Sequence, residues 1–416
     1  MNDVSLTIKA SHADVIVCHG CDQVFDNVPC EAGQQLNCTR CGETLRVSHT
    51  NWLARTAAFT LSGLILFALA LSFPFIGLET AGQTQSARLL SGVLALLERD
   101  YFVLASLVFI TTFLLPLIEL LALSYVVGAR YLNIKAPGLA SVLHLLFITR
   151  PWNMMEIFFI GVLITTIKLG DIASLIPGVG LFAFAGLLVV LIYSHLHLDR
   201  EALWQWLRYE NLYRGSEADE LVVCHSCDAR VDRSLLAVND RCPRCHCIVR
   251  PRLPDSYQRT LALLIAAVIL YFPANLLPIM TTVQLGAASS DTILSGVIHL
   301  YASGNIGIAM VVFVASILVP VVKIMAISYL LWAVRRGKQG NPRHQARLYR
   351  ITEFVGRWSM IDVFVVTLLV ALVQFGVLAN IEPGGAVLCF AGVVVLTMLA
   401  AETFDPRLLW DAHNEQ

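Results

Sequence analysis

Eight cysteines form four Cys-x-x-Cys pairs, which lie in two short polar segments of the chain. The pairs are Cys18/Cys21, Cys38/Cys41, Cys224/Cys227 and Cys242/Cys245. Two such pairs separated by a short hairpin supply the four thiolates that Zn²⁺ takes in a tetrahedron. Because four protein ligands leave no open position, each zinc ion would be structural. The spacing therefore predicts two zinc ions in two zinc-ribbon modules.

A redox-active dithiol and an iron centre of the rubredoxin type are the alternatives for these cysteines. A thioredoxin-like site needs a βαβ fold around it, and each segment of about 35 residues is too short for one. Clustered pairs in an otherwise apolar chain favour metal sites in a reducing compartment. Further donors beside the pairs are expected to support the sites rather than bind the ion: His19, His225, His246 and Cys247.

Polar side chains inside the apolar segments are the second set that could carry chemistry. Lys323 lies 12 residues before Arg335, so along a helix it sits roughly 18 Å deep, too far for its amine to reach the headgroups. An ionisable group inside a membrane span is costly and indicates a functional site by default. Five residues would form an intramembrane polar cluster if their helices pack together: Ser316, Lys323, Ser359, Asp362 and Thr397.

A buried ion pair that only fixes helix packing is the alternative for this cluster. Lys323 would then pair with Asp362 or with Glu119. In the repeat described below, Glu119 is the counterpart of Lys323, and Glu156 is the counterpart of Asp362. The two halves are therefore chemically unequal at these positions.

The composition sets the class of protein that must position these residues. Of 416 residues, 57% are hydrophobic and only 14% are charged, against about 25% charged in globular proteins. This excludes a disordered chain, a coiled coil and a nucleic-acid binder with a broad basic surface. A polytopic membrane protein remains.

The chain is an internal duplication. Cys18 and Cys224 are 206 residues apart, and Cys38 and Cys242 are 204 residues apart. Residues 89–127 align without a gap on residues 293–331. The same spacing relates four successive elements, which chance similarity of two apolar helices would not produce.

Each repeat consists of a cysteine module followed by four apolar segments long enough to cross a bilayer, which takes about 20 residues. The spans are expected at 56–77, 102–127, 154–175, 178–197, 259–280, 306–333, 360–380 and 385–404. All eight must be helical, because a backbone in lipid has to satisfy its hydrogen bonds internally. The fold class predicted is an all-α polytopic membrane protein, duplicated, with a zinc ribbon and four transmembrane helices in each half.

Four regions follow from this division: a first zinc ribbon, a first membrane module, a second zinc ribbon and a second membrane module. Their bounds are 1–50, 51–200, 216–252 and 256–406. The loop 333–358 contains seven basic residues and one acidic residue, so it should be cytoplasmic. Both ribbons and both termini then lie in the cytoplasm. Five tryptophans at these ends are expected to form an interfacial belt: Trp152, Trp204, Trp206, Trp358 and Trp410.

The pattern resembles the paraquat-inducible protein A family of bacterial inner-membrane proteins. The duplicated Cys-x-x-Cys modules support the resemblance, together with residues 271–280 (YFPANLLPIM), 295–297 (SGV), 354–364 (FVGRWSMIDVF) and 403–407 (TFDPR). The resemblance covers nearly the whole chain. It implies a periplasmic tunnel partner with MCE domains, phospholipid movement between that tunnel and the inner membrane, and a role in outer-membrane integrity.

Other classes of function compete with this interpretation. An ion-coupled transporter of small solutes would suit the duplicated four-helix unit and Lys323, and a membrane redox or metal sensor would use the cysteine modules. The chain contains no P-loop, HExxH or GxSxG motif, so an enzyme is not expected.

Overall fold

The computed structural model describes most of both halves of the chain. The described residues are 15–26, 33–47, 51–80, 83–134, 136–169, 174–207, 221–224, 227, 229–232, 240–242, 244–284, 287–304, 306–337, 341–372 and 379–414.

The first half begins with two short hairpins and continues into helices. The hairpins consist of β1 (Val15–Val17), β2 (Val24–Asp26), β3 (Gln35–Asn37) and β4 (Thr44–Val47). The elements that follow are α1 (Trp52–Ser72), β5 (Ile76–Thr80), β6 (Gln83–Ala87), α2 (Ser91–Glu98), α3 (Phe102–Phe109), α4 (Leu115–Tyr131), α5 (Leu139–Thr149), α6 (Met155–Leu169), β7 (Ser174–Pro177), α7 (Val179–His197) and α8 (Arg200–Trp206).

The second half repeats this order. Its elements are β8 (Leu221–Val223), β9 (Arg230–Asp232), α9 (Ser256–Leu276), β10 (Met280–Gln284), β11 (Ala287–Asp291), α10 (Ile293–Ala302), α11 (Ile306–Phe313), α12 (Val319–Arg336), α13 (Pro342–Gly356), α14 (Ile361–Leu372), β12 (Ala379–Pro383), α15 (Ala386–Thr403) and α16 (Leu408–Asn414). The duplication expected from the sequence is confirmed.

Seven helices among the described residues are long and apolar enough to cross a membrane. They are Trp52–Ser72, Phe102–Tyr131, Leu139–Thr166, Val179–His197, Ser256–Leu276, Ala309–Arg336 and Ala386–Thr403. The eighth predicted span, 360–380, begins as α14, but residues 373–378 lie outside the described part and β12 follows. The chain is a multi-pass membrane protein.

Two small sheets were not expected in an all-α fold. In each half, the hairpin after the first span pairs with a strand that precedes the last span, giving the orders β6-β5-β7 and β11-β10-β12. Both sheets are antiparallel. Because they lie at the ends of the spans opposite the cysteine modules, they close that end of each half.

The second span of each half is interrupted by a π-helical turn. The turns are Ile110–Leu114, between α3 and α4, and Val314–Leu318, between α11 and α12. Each is followed by a proline, Pro116 or Pro320, which has no backbone N–H to donate to the preceding turn and so disturbs the regular helix.

Within each half the first and last spans pack together, and the halves meet through their third spans. Helix α1 packs on α7, α9 packs on α15, and α6 meets α14. A Cβ at Gly161 of α6 would lie 3.2 Å from the Cβ of Phe364, so glycine allows this close approach. The rings of Phe158 and Phe364 meet edge to face across the same contact. One continuous apolar core therefore joins the two halves.

The cysteine modules are exchanged between the halves. The N-terminal module packs on residues of the second half, including Ile327, Leu330 and Trp410. The second module packs on the first half, against residues such as Val126 and Trp204. The module that comes first in the chain thus completes the half that comes last.

Candidate functional site

The four cysteines of the N-terminal module converge on one point. Cys18 Sγ lies 3.4 Å from Cys41 Sγ, and Cys21 Sγ lies 3.6 Å from Cys38 Sγ. All four sulfur atoms lie within 4.8 Å of one another and are buried. These separations are too long for a disulfide. They are close to the spacing of about 3.8 Å that a tetrahedron with 2.3 Å bonds requires.

The second module repeats this geometry. Cys224 Sγ lies 3.5 Å from Cys245 Sγ, and Cys227 Sγ lies 3.6 Å from Cys242 Sγ. Each group of four thiols could therefore hold a metal ion. A site of four sulfur donors with no space for water suits a structural ion.

Local backbone turns present the sulfur atoms. The residue after the second cysteine of a pair donates its N–H to the first cysteine's carbonyl oxygen: Asp22 to Cys18 at 2.9 Å, and Gly42 to Cys38 at 2.8 Å. Asp22 and Gly42 both have positive φ, 54° and 78°. His246 has the same conformation in the second module, with φ of 60°. This left-handed position closes the turn, so that two sulfur atoms point to one side.

An arginine in each module connects the metal site to a membrane half. Arg40 donates to the carbonyl oxygen of Cys21 at 3.3 Å and lies over the ring of Trp410. Arg244 donates to the carbonyl oxygen of Cys227 at 3.3 Å and lies over Trp204. The expectation of an interfacial belt is therefore wrong for Trp204 and Trp410, which are buried under the modules. The sequence does not distinguish a tryptophan that lies at the membrane interface from one that is buried under a cysteine module.

A cavity of about 530 Å³ lies between the two halves, at the end of the spans that faces the cysteine modules. Both halves contribute charged residues to its wall. The first half provides Arg150, Glu156 and His195, and the second provides Lys323, Arg350, Glu353, Arg357 and Glu402. The wall thus contains cations and carboxylates in similar numbers, with apolar residues between them.

Lys323 is buried, with 3% of its surface exposed, and its ammonium group reaches this cavity. The nearby carboxylates whose charges interact with its ammonium group are those of Glu402 and Glu353. A Cβ at Gly356 would collide with the end of the lysine side chain, so glycine makes room for it. An ion pair of Lys323 with Glu119 is not formed, because Glu119 has other partners.

The membrane depth predicted for Lys323 stays a prediction. Glu402, whose charge acts on Lys323, is the second-last residue of the span Ala386–Thr403, so Lys323 lies near the end of that span. Helix α12 continues beyond Lys323 to Arg336, and its residue Leu330 packs against the N-terminal module.

The structure divides the predicted cluster between two places. Ser316 lines a second, smaller and apolar pocket of about 50 Å³. The hydroxyls of Ser316 and Thr397 both donate to carbonyl oxygens of their own helices. Ser359 is buried, and its hydroxyl has no hydrogen-bond partner among the described residues. Asp362 lies on α14, but its side chain is outside the described part.

Glu119 forms a closed polar group in the first half. Its carboxylate accepts a hydrogen bond from Asn153 Nδ2 at 2.5 Å, and His195 Nε2 lies 2.5 Å from its other oxygen. Glu119 is 1% exposed. Glu156, in contrast, is exposed and lines the cavity.

Several cavity residues were missed by reasoning from the sequence. Glu353, Arg350 and Glu402 lie at or just beyond span ends, where charged residues are ordinary. Burial in the wall raises the pKa of Glu353; Arg357 and Lys323 act against this effect, and Glu43 adds to it. His195 and Asn153 gave no sequence signal at all, since each is a single polar residue near a span end.

These features define a class of protein: a duplicated, multi-pass membrane protein with a four-cysteine module on each half and a charged cavity between the halves. The family model for paraquat-inducible protein A matches residues 53–208 and 257–414. The chain therefore belongs to the paraquat-inducible protein A family.

Curated relatives match over nearly their full length. The chain is 37% identical to "Intermembrane transport protein PqiA" of Escherichia coli (strain K12) over 408 residues, 96% of each chain. It is 34% identical to "Lipophilic envelope-spanning tunnel protein A" of the same strain, over 95% of this chain and 91% of that protein. A "Probable intermembrane transport protein" of Haemophilus influenzae is also 34% identical, over 97% of each chain. These relatives are named as transport proteins, not enzymes. No solved structure matches the chain.

Proposed function

We propose that this protein is the inner-membrane component of an intermembrane lipid transport system. It passes phospholipid between the inner membrane and a periplasm-spanning tunnel protein built of MCE domains, and so supports the outer-membrane barrier. The names of its relatives, which refer to intermembrane transport and to an envelope-spanning tunnel, support this proposal.

The observation that carries the proposal is the cavity between the halves. Its wall combines Lys323, Glu353 and Glu402 with apolar residues such as Leu188 and Met398. A phospholipid presents the same combination, since a charged headgroup adjoins acyl chains. The hydroxyl of Ser359, which has no hydrogen-bond partner among the described residues, lies three residues after Gly356, which contacts Lys323. We infer that Lys323 and Ser359 bind polar atoms of the headgroup.

Two zinc ions, one in each group of four cysteines, brace the membrane halves in this proposal. Thiolate ligands at these separations suit Zn²⁺, and its filled d shell gives a site without redox chemistry. The eight ligands are the cysteines of the four pairs. Their burial under Trp204 and Trp410 supports a structural role.

The cysteine modules and both termini face the cytoplasm in this proposal. The basic residues at the end of α12 and along α13 lie on the same side as the N-terminal module, since Arg350 of α13 contacts Cys41, and basic segments remain in the cytoplasm. Reporter fusions at residues 85 and 290 should then indicate the periplasm, and fusions at 140, 220 and 340 the cytoplasm. A reversal between 220 and 340 would contradict this orientation.

The test of function uses Lys323→Ala in a strain that lacks the native gene. We expect loss of resistance to detergent, with normal abundance and normal metal content, because the cavity loses its deepest cation. Arg336→Ala is the matched control: it removes an exposed cation from the end of the same helix and should keep function. Phospholipid should co-purify with the wild type and be reduced in Lys323→Ala.

Two results would count against this proposal. Full complementation by Lys323→Ala at normal abundance would show that the cavity cation is dispensable. Loss of folded protein in the same variant would instead support a structural ion pair, because breaking a buried pair is strongly destabilising.

A further inference from the structure

One face of α13 and of the turn that follows it is exposed along its whole length. Five side chains lie on this face at intervals of three or four residues, and they are named here the α13 stripe: Arg343, Arg347, Ile351, Phe354 and Trp358. All five are exposed. The opposite face of α13, which includes the buried Ala346, packs on α12 and α15. The stripe is therefore a surface that the two halves leave uncovered.

The α13 stripe changes from basic to apolar along the helix. Arg343 and Arg347 occupy its first two positions, and the three apolar residues occupy the rest. Tyr349, which lies between these two groups in the sequence, donates its hydroxyl to the carbonyl oxygen of Ala401 at 3.0 Å. Ala401 is the third-last residue of the span Ala386–Thr403. The change from basic to apolar thus falls near the level at which that span ends.

This order of side chains matches the cross-section of a lipid leaflet. At a membrane surface, cations lie among the headgroups, while apolar and aromatic side chains lie among the first carbons of the acyl chains. Trp358 is one of the tryptophans expected at the interface, and unlike Trp410 it is exposed. The stripe therefore suits a helix face that enters the leaflet at the module end of the spans.

The two arginines are placed to bind an anion. They are one helical turn apart, and among the described residues neither forms an ion pair with an acid. A guanidinium group presents a planar fork of N–H donors that fits the oxygens of a phosphate. The arginine part of the stripe is thus complementary in charge and in geometry to a lipid phosphate.

The first half has the apolar part of this surface without the cations. By the 206-residue offset, the counterparts of Arg343, Arg347, Ile351 and Phe354 are Pro137, Ser141, Leu145 and Ile148. Ser141, Leu145 and Ile148 are exposed on α5. Contact with lipid chains is therefore available to both halves, whereas attraction of a negative headgroup at these positions is a property of the second half.

We propose that the α13 stripe is a docking site for anionic phospholipid in the leaflet at the module end of the spans. Arg343 and Arg347 bind the phosphate, and the apolar residues of the stripe pack against the acyl chains. Phe354 also lines the cavity between the halves, so the lipid docks at the edge of that cavity. Docking needs no transport; only delivery of the docked lipid into the cavity would rest on the function proposed above.

The experiment uses Trp358 as a reporter in full-length protein reconstituted into phosphatidylcholine vesicles. A small fraction of the lipid is phosphatidylglycerol with brominated chains, and a parallel sample contains brominated phosphatidylcholine instead. Bromine quenches tryptophan fluorescence at short range, and subtraction of the signal of Trp358→Phe isolates the reporter. We expect phosphatidylglycerol to quench Trp358 more strongly than phosphatidylcholine does.

Arg343→Gln/Arg347→Gln should lower this preference for phosphatidylglycerol about tenfold or more, since each basic residue beside a membrane surface contributes roughly fivefold in affinity. Arg343→Lys/Arg347→Lys keeps both charges and should retain most of the preference. The matched control is Arg55→Gln/Arg259→Gln, which removes two exposed cations at the module ends of α1 and α9. It changes the net charge equally, and it should change the preference less than about twofold because salt screens distant charges.

Three results would overturn the docking site. Equal quenching of wild-type Trp358 by the two brominated lipids would show no preference for negative charge. An equal loss in Arg55→Gln/Arg259→Gln would indicate a general effect of net charge. Relief of the quenching by inorganic phosphate at constant ionic strength would assign the arginines to free phosphate. Lys323 is intact in all these variants and nothing is transported, so the barrier test of Lys323 still decides the proposed function.

Discussion

The two halves place opposite charges at the same position of the fold. Glu119 on α4 and Lys323 on α12 are counterparts in the repeat, and both are buried. Glu119 is enclosed by Asn153 and His195, whereas Lys323 reaches a cavity that also contains acids. Because an unpaired buried charge is strongly unfavourable, reversing it requires different neighbours.

The neighbours have indeed changed together with the charge. At the 206-residue offset the paired positions are Asn153/Ser359, His195/Ala401, Phe147/Glu353 and Leu196/Glu402. In the first half the acid lies against Asn153 and His195 inside the protein. In the second half the cation and its acids line a cavity. One duplicated scaffold thus packs a buried acid within the protein in one copy and places a buried cation at a cavity in the other.

The largest loss of stability should come from removing a metal ligand. This change also tests whether each module packs on the opposite half of the chain. Cys38→Ser should increase hydrogen exchange in Leu408–Asn414, and Cys242→Ser should increase it in Arg200–Trp206, because those helices lie under the respective modules. Structural zinc is worth roughly 10–16 kcal/mol in small peptides, so folded yield should also fall. Elemental analysis should find two zinc ions per wild-type chain. Exchange that rises only beside the altered cysteines in sequence would contradict the exchanged arrangement.

The next-largest effect is a difference in stability between matched variants at the ends of the last spans of the two halves. Asp405 and Arg407 form a buried pair at 2.9 Å, whereas the counterpart Asp199, among the described residues, accepts the N–H of Ala202 at the start of α8. Asp405→Asn removes the nearest acid from the buried Arg407, whose contact with Asp22 is longer at 3.5 Å, and should cost roughly 3 kcal/mol. Asp199→Asn should cost less than about 1 kcal/mol, because asparagine caps helices equally well. Thermal unfolding in detergent would measure both.

This pair also predicts an acid dependence. Burial tends to raise the pKa of Asp405, but the hydrogen bonds and charge of Arg407 outweigh it, so the pKa is lowered. The stabilisation is complete above the ordinary aspartate pKa of about 3.9 and is lost as the pH falls through the lowered value. The stability difference between wild type and Asp405→Asn should therefore shrink only below about pH 4. A difference that shrinks between pH 7 and 5 would contradict this assignment.

A smaller effect should distinguish Glu119 from Lys323 directly. Glu119→Ala removes the carboxylate that accepts a hydrogen bond from Asn153 and lies against His195, and it should lower stability by roughly 1.5–3 kcal/mol, the value for a hydrogen bond to a charged group. Lys323→Ala should leave stability nearly unchanged, because its acids face a cavity that can hydrate. The melting temperatures and the complementation of the two variants measure this difference. A lower melting temperature for Lys323→Ala than for Glu119→Ala would contradict it.

The smallest effect is expected at the exposed contacts of the N-terminal module. Asp22 pairs with Arg252, which also contacts Asp411 at 2.7 Å, and all three side chains are about one-third exposed. Exposed ion pairs contribute about 0–1 kcal/mol. Asp22→Asn should therefore change the melting temperature only slightly, and a loss comparable to that of Asp405→Asn would contradict the ranking.

The sequence predicted those parts of the fold that depend on local composition. Apolar runs gave the spans, and the last span expected at 385–404 is observed at Ala386–Thr403. Cysteine spacing gave both four-sulfur groups, because a Cys-x-x-Cys turn is local.

What could not be predicted depends on contacts between distant segments. The small sheets pair β5 with β7, two strands of only five and four residues that adjoin apolar spans and show no separate strand pattern. The neighbours of Lys323 could not be predicted either, because periodicity does not show which span ends lie beside a given helix. The acids around it come from α13 and α15, and only packing brings them together.

The exchange of modules has a consequence for the order of synthesis. Cys41 is made 309 residues before Arg350, the residue that binds its carbonyl oxygen. At about 5–20 residues per second, the N-terminal module waits roughly 15–60 s for its docking surface. The second module follows its own surface, with Trp204 made just before Cys224. During biogenesis the first module therefore stays uncovered until the second half is made, whereas the second module can dock as soon as it is made.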